Sequence, residues 1–145
     1  MNKHLLEWMK SNLNRIFESP CKTVFKGKRV PQDFKIVEVN EEKGVVKIQF
    51  VNTGAVLPLG FWRFDKTVEV LSKGEWVRLG TRLYADEPST IEWTLQEHTK
   101  KIYGRKADTK TAPHICDILV VFGIAKYGYV ENPISKRKNQ AVKKI

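Results

Sequence analysis

The pattern of hydrophobic and polar positions divides the chain into three regions. In the first region, apolar residues recur at helical spacing between residues 4 and 18 and leave polar residues of both charges on the opposite side. Ser19 and Pro20 follow, and the residue before a proline disfavours helical backbone. The pattern predicts an N-terminal helix within residues 1–20 that docks on a core. Its mixed charge argues against a helix lying on an anionic membrane.

The second region, residues 21–84, alternates apolar and polar positions in short runs. Residues 34–39 and 45–51 flank a polar turn that ends in Gly44, which is the pattern of a β-hairpin. Further short runs suit strands at 55–59, 61–64, 67–71 and 76–79. Turn residues between these runs predict a small antiparallel meander that can bend into a barrel.

The third region begins after a short segment, 81–88, which we interpret as a linker. Residues 89–103 predict a helix, because Ser89 and Glu92 have capping-box spacing and Gly104 can end the helix. A second helix is predicted from Thr109 to Phe122, with Asp108 as its cap and Gly123 after it. Two helices joined by a brief basic turn are typical of a helix-turn-helix.

The chain closes with two short apolar runs around a basic loop. Residues 124–130 and 139–145 predict two strands, and residues 131–138 connect them. The predicted fold class is therefore α+β, in three parts. An N-terminal helix (1–20) precedes a small antiparallel β unit (21–84), and a helix-turn-helix with a β-hairpin (89–145) follows.

Two resemblances to known folds follow from these patterns. The strand lengths and spacing over 21–84 are similar to those of SH3-like small barrels. The stretch Leu119-Val120-Val121-Phe122-Gly123-Ile124-Ala125, with the hairpin after it, resembles the exit from the recognition helix into the wing of winged-helix DNA-binding domains. Winged helices carry three helices, whereas two are predicted over 89–145, so the N-terminal helix is the candidate for the third.

Positive charge is concentrated in the last third of the chain. The protein has a net charge of +10, and the segment 97–145 holds 11 lysines or arginines against four acids. Such an asymmetry favours a polyanion partner, because bound cations release the counterions that condense on nucleic acid. A basic surface that only aids solubility is the alternative explanation.

The winged-helix resemblance and the charge together select candidate contacts for nucleic acid, with double-stranded DNA as the expected partner. Residues at the start of a recognition helix reach base edges, and early N–H groups and hydroxyls can bind phosphate. Cations of the hairpin loop would bind the backbone of an adjacent groove. With Ile115, Ile118, Leu119 and Phe122 turned toward the core, the side expected to face outward carries Lys110, Thr111, His114 and Asp117. The candidates are Arg105, Lys106, Lys110, Thr111, His114, Lys136, Arg137 and Lys138.

Aromatic residues of the β unit form a second candidate surface. Strand alternation places Trp62 and Phe64 on one face and Phe61 with Arg63 on the other, so that part of this set belongs to a core. Trp62 and Arg63 are the preferred exposed pair for stacking on a base or for holding a cation. Phe61, Phe64 and Trp76 could also stack on a base, although a place in the core is the preferred interpretation for each of them. Cys116 on the second predicted helix is interpreted as buried.

Catalytic and metal-binding patterns are weak in this sequence. His114 and Cys116 are two residues apart on a predicted helix and point to different sides, so they do not form a zinc pair. Asp33 followed by Glu41 and Lys43 resembles the metal-binding set of restriction nucleases, although Glu41 falls in a hairpin turn. No cofactor is expected.

The sequence thus predicts a non-catalytic DNA-binding protein that uses its C-terminal winged-helix-like region, with the β unit as a second contact surface. A protein-interaction adaptor acting through the β unit is the first alternative, and a metal-dependent nuclease is the second. No apolar run reaches the ~20 residues that cross a bilayer, and no signal peptide is recognisable, so we expect a cytoplasmic protein without a membrane partner.

Overall fold

The structure is a computed structural model that describes residues 1–26, 32–80, 89–105 and 109–145. Residue contacts divide the chain into two compact units, Met1–Asp65 (unit 1) and Lys66–Ile145 (unit 2). The elements in chain order are α1 (Lys3–Ser11), β1 (Ile16–Phe17), α2 (Pro20–Phe25), β2 (Phe34–Asn40), β3 (Val45–Phe50), β4 (Val56–Gly60), α3 (Phe61–Leu71), β5 (Val77–Arg78), α4 (Ile91–Tyr103), α5 (Ala112–Phe122), β6 (Ala125–Glu131) and β7 (Lys138–Lys144).

The α+β class is confirmed, and the division into units lies inside helix α3. The linker predicted at 81–88 lies outside the described residues, and so does Asp108, the predicted cap of the second helix. Among the described helices, α4 is the longest with 13 residues. None of the helices that the structure describes is long and apolar enough to cross a membrane.

Unit 1 is built around an antiparallel sheet with strand order β1-β2-β3-β4. The predicted hairpin is confirmed, since β2 pairs with β3 from Phe34 opposite Phe50 to Asn40 opposite Val45. The apolar positions that alternate along these strands lie in the core, with Phe34, Ile36, Val46 and Ile48 almost fully buried. This part of the fold follows directly from the period of two in the sequence.

The N-terminal helix is shorter than predicted. Helix α1 ends at Ser11, and Ile16 and Phe17 pair with β2 as strand β1. Asn14 adopts the left-handed conformation at φ 65°, and its N–H donates to the Ile36 carbonyl at 2.8 Å. Asparagine tolerates this conformation better than most residues, so it turns the chain from helix to sheet where hydrophobic spacing alone continues the helix.

The strands predicted between residues 61 and 71 are wrong, because this segment forms helix α3. Phe64, Thr67 and Leu71 are buried, at positions that repeat with helical spacing. The aromatic and β-branched residues suggested strands, but burial of one helical face overrides their weak preference. Unit 1 consequently has four strands with β1 and β4 at the edges of the sheet, and the expected small barrel is not found among its described residues.

Unit 2 contains the second half of α3, the helices α4 and α5, and a three-stranded antiparallel sheet with order β5-β7-β6. The predicted ends of both helices are confirmed, because Gly104 (φ 75°) and Gly123 (φ 101°) adopt the left-handed cap conformation. The predicted hairpin is also confirmed, with β6 and β7 paired from Ala125 opposite Lys144 to Glu131 opposite Lys138.

The starts of the two helices differ from the prediction. Thr90, rather than Ser89, caps α4 by accepting from the Trp93 N–H at 3.1 Å. The hydroxyl of Ser89 instead accepts from the Arg78 guanidinium. Helix α5 begins at Ala112, and its cap residue, Thr111, makes no side-chain capping bond. The capping box therefore identifies the presence of α4 but not the atoms that cap it.

Candidate nucleic-acid interface

Helix α5, the predicted groove-contacting helix, is packed into unit 2. Its residues Ala112–Phe122 include no lysine or arginine. Ile115, Cys116, Ile118 and Leu119 are fully buried. Asp117, which we expected to project outward, is 1% exposed and accepts from the Tyr127 hydroxyl at 2.7 Å. The helix therefore serves mainly as a core element.

The first N–H groups of α5 are already bonded to the carboxylate of Glu92. This side chain is fully buried, accepts from the Ala112 N–H at 3.0 Å and also accepts from the Thr111 N–H. Gln96 donates to its other oxygen at 3.1 Å. Burial raises the pKa of Glu92, although these donors oppose the rise. A phosphate cannot use N–H groups that an internal carboxylate occupies.

The residues predicted to contact nucleic acid at the start of α5 differ in how exposed they are. Lys110 is partly exposed. Thr111 is 3% exposed, so its predicted exposure is wrong. His114 is largely covered, and burial together with nearby Lys110 lowers its pKa from 6.5 to about 4. His114 is consequently neutral at pH 7 and adds no positive charge to this surface.

The two cations predicted in the turn after α4 are only partly described. Arg105 is exposed beyond the cap of α4. Lys106 lies outside the described residues, so its placement cannot be related to that of Arg105. Lys100 and Lys101 are exposed on the last turn of α4, where positive charge also complements the helix dipole.

The hairpin loop presents its predicted cations on an ordered frame. Lys136, Arg137 and Lys138 are all exposed. The Asn132 side chain, 7% exposed, accepts from the N–H groups of Ile134 (2.9 Å) and Ser135 (3.1 Å). The Asn132 N–H also donates to the Arg137 carbonyl at 2.8 Å. These bonds order the backbone of the loop, so a ligand that binds there does not have to order the loop first.

A cluster that the sequence analysis missed lies on the β5-β7-β6 sheet. Trp76, for which the core was preferred over stacking on a base, is 36% exposed. The ammonium groups of Lys126 and Lys143 lie 5.9 and 5.8 Å from the centroid of its ring, which is cation–π distance. We call Trp76, Lys126 and Lys143 the tryptophan–lysine cluster.

A signal for this cluster was present in the sequence. Gly128 interrupts an otherwise normal strand, and glycine within a strand often marks a close approach of another group. A Cβ atom at Gly128 would lie 2.5 Å from Cη2 of Trp76. Glycine therefore makes room for the indole ring against the strand. Trp76 and Gly128 are 52 residues apart in the sequence, so the spacing of residues does not reveal their contact.

The preferred pair of the β unit, Trp62 and Arg63, is brought together differently from the prediction. Both residues lie on helix α3 and are partly buried. The Arg63 guanidinium lies over the Trp62 ring, 4.4 Å from its centroid. The ring edge also lies against Gly60, where a Cβ atom would be 2.8 Å from Trp62 Cδ1. The strand alternation used to separate these side chains does not apply to a helix.

The carboxylates of the nuclease alternative lie at opposite ends of strand β2. Asp33 precedes the strand and Glu41 follows it, so they are separated by about 25 Å at the usual rise per residue. Lys22 binds Asp33 at 2.9 Å and Lys10 binds Glu41 at 2.7 Å. The Ser19 N–H and the Lys22 ammonium hold the pKa of Asp33 below its ordinary value. Asp33 and Glu41 cannot hold one metal ion between them.

Comparison of the chain with protein-family models, with curated proteins and with solved structures gives no match.

Proposed function

We propose that unit 2 is a non-catalytic nucleic-acid-binding module that contacts DNA mainly through the β6–β7 hairpin, with α5 as its internal support. The observation that carries this proposal is the charge of the hairpin. Residues 125–145 include six lysines or arginines and one acid, Glu131. None of these cations has a carboxylate within ion-pair distance among the residues the structure describes.

The arrangement of elements gives this proposal further support. Helices α4 and α5 precede a hairpin whose strand β7 also pairs with β5. The third helix of unit 2 is the second half of α3 rather than the N-terminal helix, which belongs to unit 1. These features favour the winged-helix resemblance. The proposal departs from it by assigning the main contacts to the hairpin, because cations are found there and not on α5.

A salt titration of binding to random duplex DNA tests the proposal. Each phosphate contact adds about 0.9 to the slope of log K against log salt. A Lys136→Ala/Arg137→Ala/Lys138→Ala variant should lower the slope by roughly two to three units, if each cation binds one phosphate. The matched control, Lys3→Ala/Lys35→Ala/Lys43→Ala, removes the same charge from unit 1 and should change the slope little. Equal losses in both variants would leave only non-specific attraction by net charge.

The adaptor alternative has a separate observation in its favour. Ile16 in edge strand β1 is 60% exposed and Val56 in edge strand β4 is 50% exposed. Edge strands with exposed apolar residues can pair with a partner chain. Weak DNA binding with a flat salt dependence that ignores the hairpin substitutions would favour this alternative over the DNA-binding proposal.

A further inference from the structure

Trp76 occupies a position that leaves its indole ring accessible. It directly precedes β5, whose pairing of Val77 with Val142 places Trp76 beside Lys143 on β7. The ring packs against Gly128 on β6, and about a third of the residue remains exposed, at 36%. Trp76 is therefore not a core residue, and the exposed part of its ring is available to a ligand.

The two lysines beside the ring form an unfavourable arrangement in the free protein. Lys126 and Lys143 are direct register partners across β6 and β7. Like charges opposite each other destabilise a strand pair. Within the described parts of the chain, no carboxylate forms an ion pair with either ammonium group. The indole ring relieves part of this repulsion, and an anion between the two lysines would relieve more.

A purely structural role explains only half of this arrangement. Ala141 lies opposite Gly128 on the same face of the sheet and is fully buried, so the indole ring can act as its cover. An aliphatic residue would serve as a cover equally well. It would not account for an aromatic ring with two lysines at nearly equal distance, 5.9 and 5.8 Å.

We propose that the tryptophan–lysine cluster is a stacking site for one unpaired nucleobase, whose adjacent phosphate binds between Lys126 and Lys143. This inference rests on the proposed function and narrows its partner. Inside a duplex both faces of a base are covered by its neighbours in the stack, and paired bases present only their edges in the grooves. The preferred ligand is therefore a single strand, or a duplex with an unpaired end or gap.

A cleft that Trp76 also lines is less suited to a phosphate backbone than the two lysines are. This cleft, of about 500 Å³, is lined by Lys66, Lys73, Glu69 and Glu75 together with the hydroxyls of Ser89 and Thr94. Its charge is mixed, and Lys66 pairs with Glu69 at 3.8 Å. A phosphate backbone is repelled by such carboxylates, so it follows the lysine side of the ring, toward β6 and β7.

Binding of labelled oligonucleotides, measured by fluorescence anisotropy, tests the inference. The probes are an oligothymidylate of about ten nucleotides, within the usual site size, and a blunt duplex of the same charge. Trp76→Leu keeps an apolar cover over Gly128 but removes the aromatic face. It should weaken single-strand binding about tenfold, since one stacked base contributes to that extent. Blunt-duplex binding should stay nearly unchanged, and Trp76→Phe should recover most of the loss.

Two matched controls isolate the site. Trp8→Leu removes a partly buried tryptophan of unit 1 that belongs to no candidate surface, and it should leave both affinities unchanged. Lys126→Gln/Lys143→Gln should lower the single-strand salt slope by about 1.4 if both lysines bind phosphate. The control Lys35→Gln/Lys43→Gln should not. The Lys126→Gln/Lys143→Gln variant still tests the site if Trp76→Leu fails to fold.

The outcomes separate this inference from the proposed function. Duplex binding with a steep salt slope, together with equal effects of Trp76→Leu on both probes or on neither, would overturn the stacking site and leave the DNA-binding proposal intact. Absence of binding to either probe would overturn both. Thymidine monophosphate that binds as tightly as the oligonucleotide would make the site a pocket for free nucleotides and would overturn the strand proposal.

Discussion

Helix α5 and the β6–β7 hairpin are neighbours in sequence, but they differ in what they offer a polyanion. Helix α5 has no cation, and its first N–H groups are bonded to Glu92. The hairpin has six cations and one acid, and its loop is fixed by the buried Asn132. The helix-turn-helix pattern directs attention to the helix, whereas the distribution of charge and burial directs it to the hairpin.

The difference shows that helix-turn-helix spacing in the sequence does not determine whether the second helix exposes a surface for a ligand. Ile115, Ile118 and Leu119 identify the buried side of α5 correctly. The opposite side was expected to be polar, yet Thr111 and Asp117 are also buried and bonded within unit 2. Substitutions in α5 should therefore affect folding first, and substitutions in the hairpin should affect binding first.

The largest expected effect is on stability, in a Glu92→Ala variant. The substitution leaves the N–H of Ala112 and the amide of Gln96 without their buried acceptor. Buried donors that lose a charged partner cost about 3 kcal/mol or more in the free energy of unfolding. Urea denaturation of the whole protein measures the loss. Glu92→Gln, which keeps one acceptor oxygen, should cost less, and exposed Glu75→Ala should cost almost nothing.

An unchanged stability in Glu92→Ala would contradict the role assigned to this carboxylate. It would mean that the start of α5 rearranges freely, and its N–H groups would again be open to a phosphate. In that case the variant should also bind duplex DNA more tightly than the wild type. The same preparation therefore tests both sides of the comparison between α5 and the hairpin.

The pH dependence of stability should reveal His114. Its pKa falls from 6.5 to about 4 in the folded state, which corresponds to about 3 kcal/mol through the linkage of proton binding to folding. The folded pKa is depressed, so this stability is present above pH ~6.5 and is lost as the pH falls toward 4. Glu92 acts in the opposite direction, because its raised pKa favours proton binding by the folded state.

The difference between wild type and His114→Gln isolates this contribution. Urea titrations at pH values between about 7 and 4 should show a steeper fall in stability for the wild type than for the variant. Parallel curves would mean that His114 titrates near its ordinary pKa, with its ring accessible to solvent. His114 would then be available as a cation on the surface of α5 at mildly acid pH.

The sequence predicts the helices and strands correctly where its apolar residues repeat with the period of one type of element. The hairpin β2–β3 and the buried face of α5 both follow from spacing of apolar residues. Prediction fails where local preference and burial disagree. In α3, Phe, Trp, Thr and Val favour a strand individually, but the burial of Phe64, Thr67 and Leu71 selects a helix.

The candidate site was predicted only for its charged loop. Lys136, Arg137 and Lys138 are consecutive, so their proximity needs no tertiary information. The tryptophan–lysine cluster joins Trp76 to Lys126 and Lys143, which lie 50 and 67 residues later in the sequence, and the pairing of β5 with β7 creates it. The bond between Glu92 and α5 likewise spans 20 residues. The spacing of residues along the sequence does not predict long-range pairings of this kind.

The smallest expected effect is that of Lys110→Ala on DNA binding. Lys110 is the remaining cation beside the start of α5, and it lies near Glu92 and His114. If the hairpin supplies the phosphate contacts, removal of Lys110 should change the affinity for duplex DNA by no more than about twofold. The salt slope should change by less than about 0.9, the value for one phosphate contact. The Lys136→Ala/Arg137→Ala/Lys138→Ala variant is the reference for a true loss. A larger effect of Lys110→Ala than of the triple substitution would mean that phosphate binds near the start of α5. The hairpin would then be a charged but secondary surface.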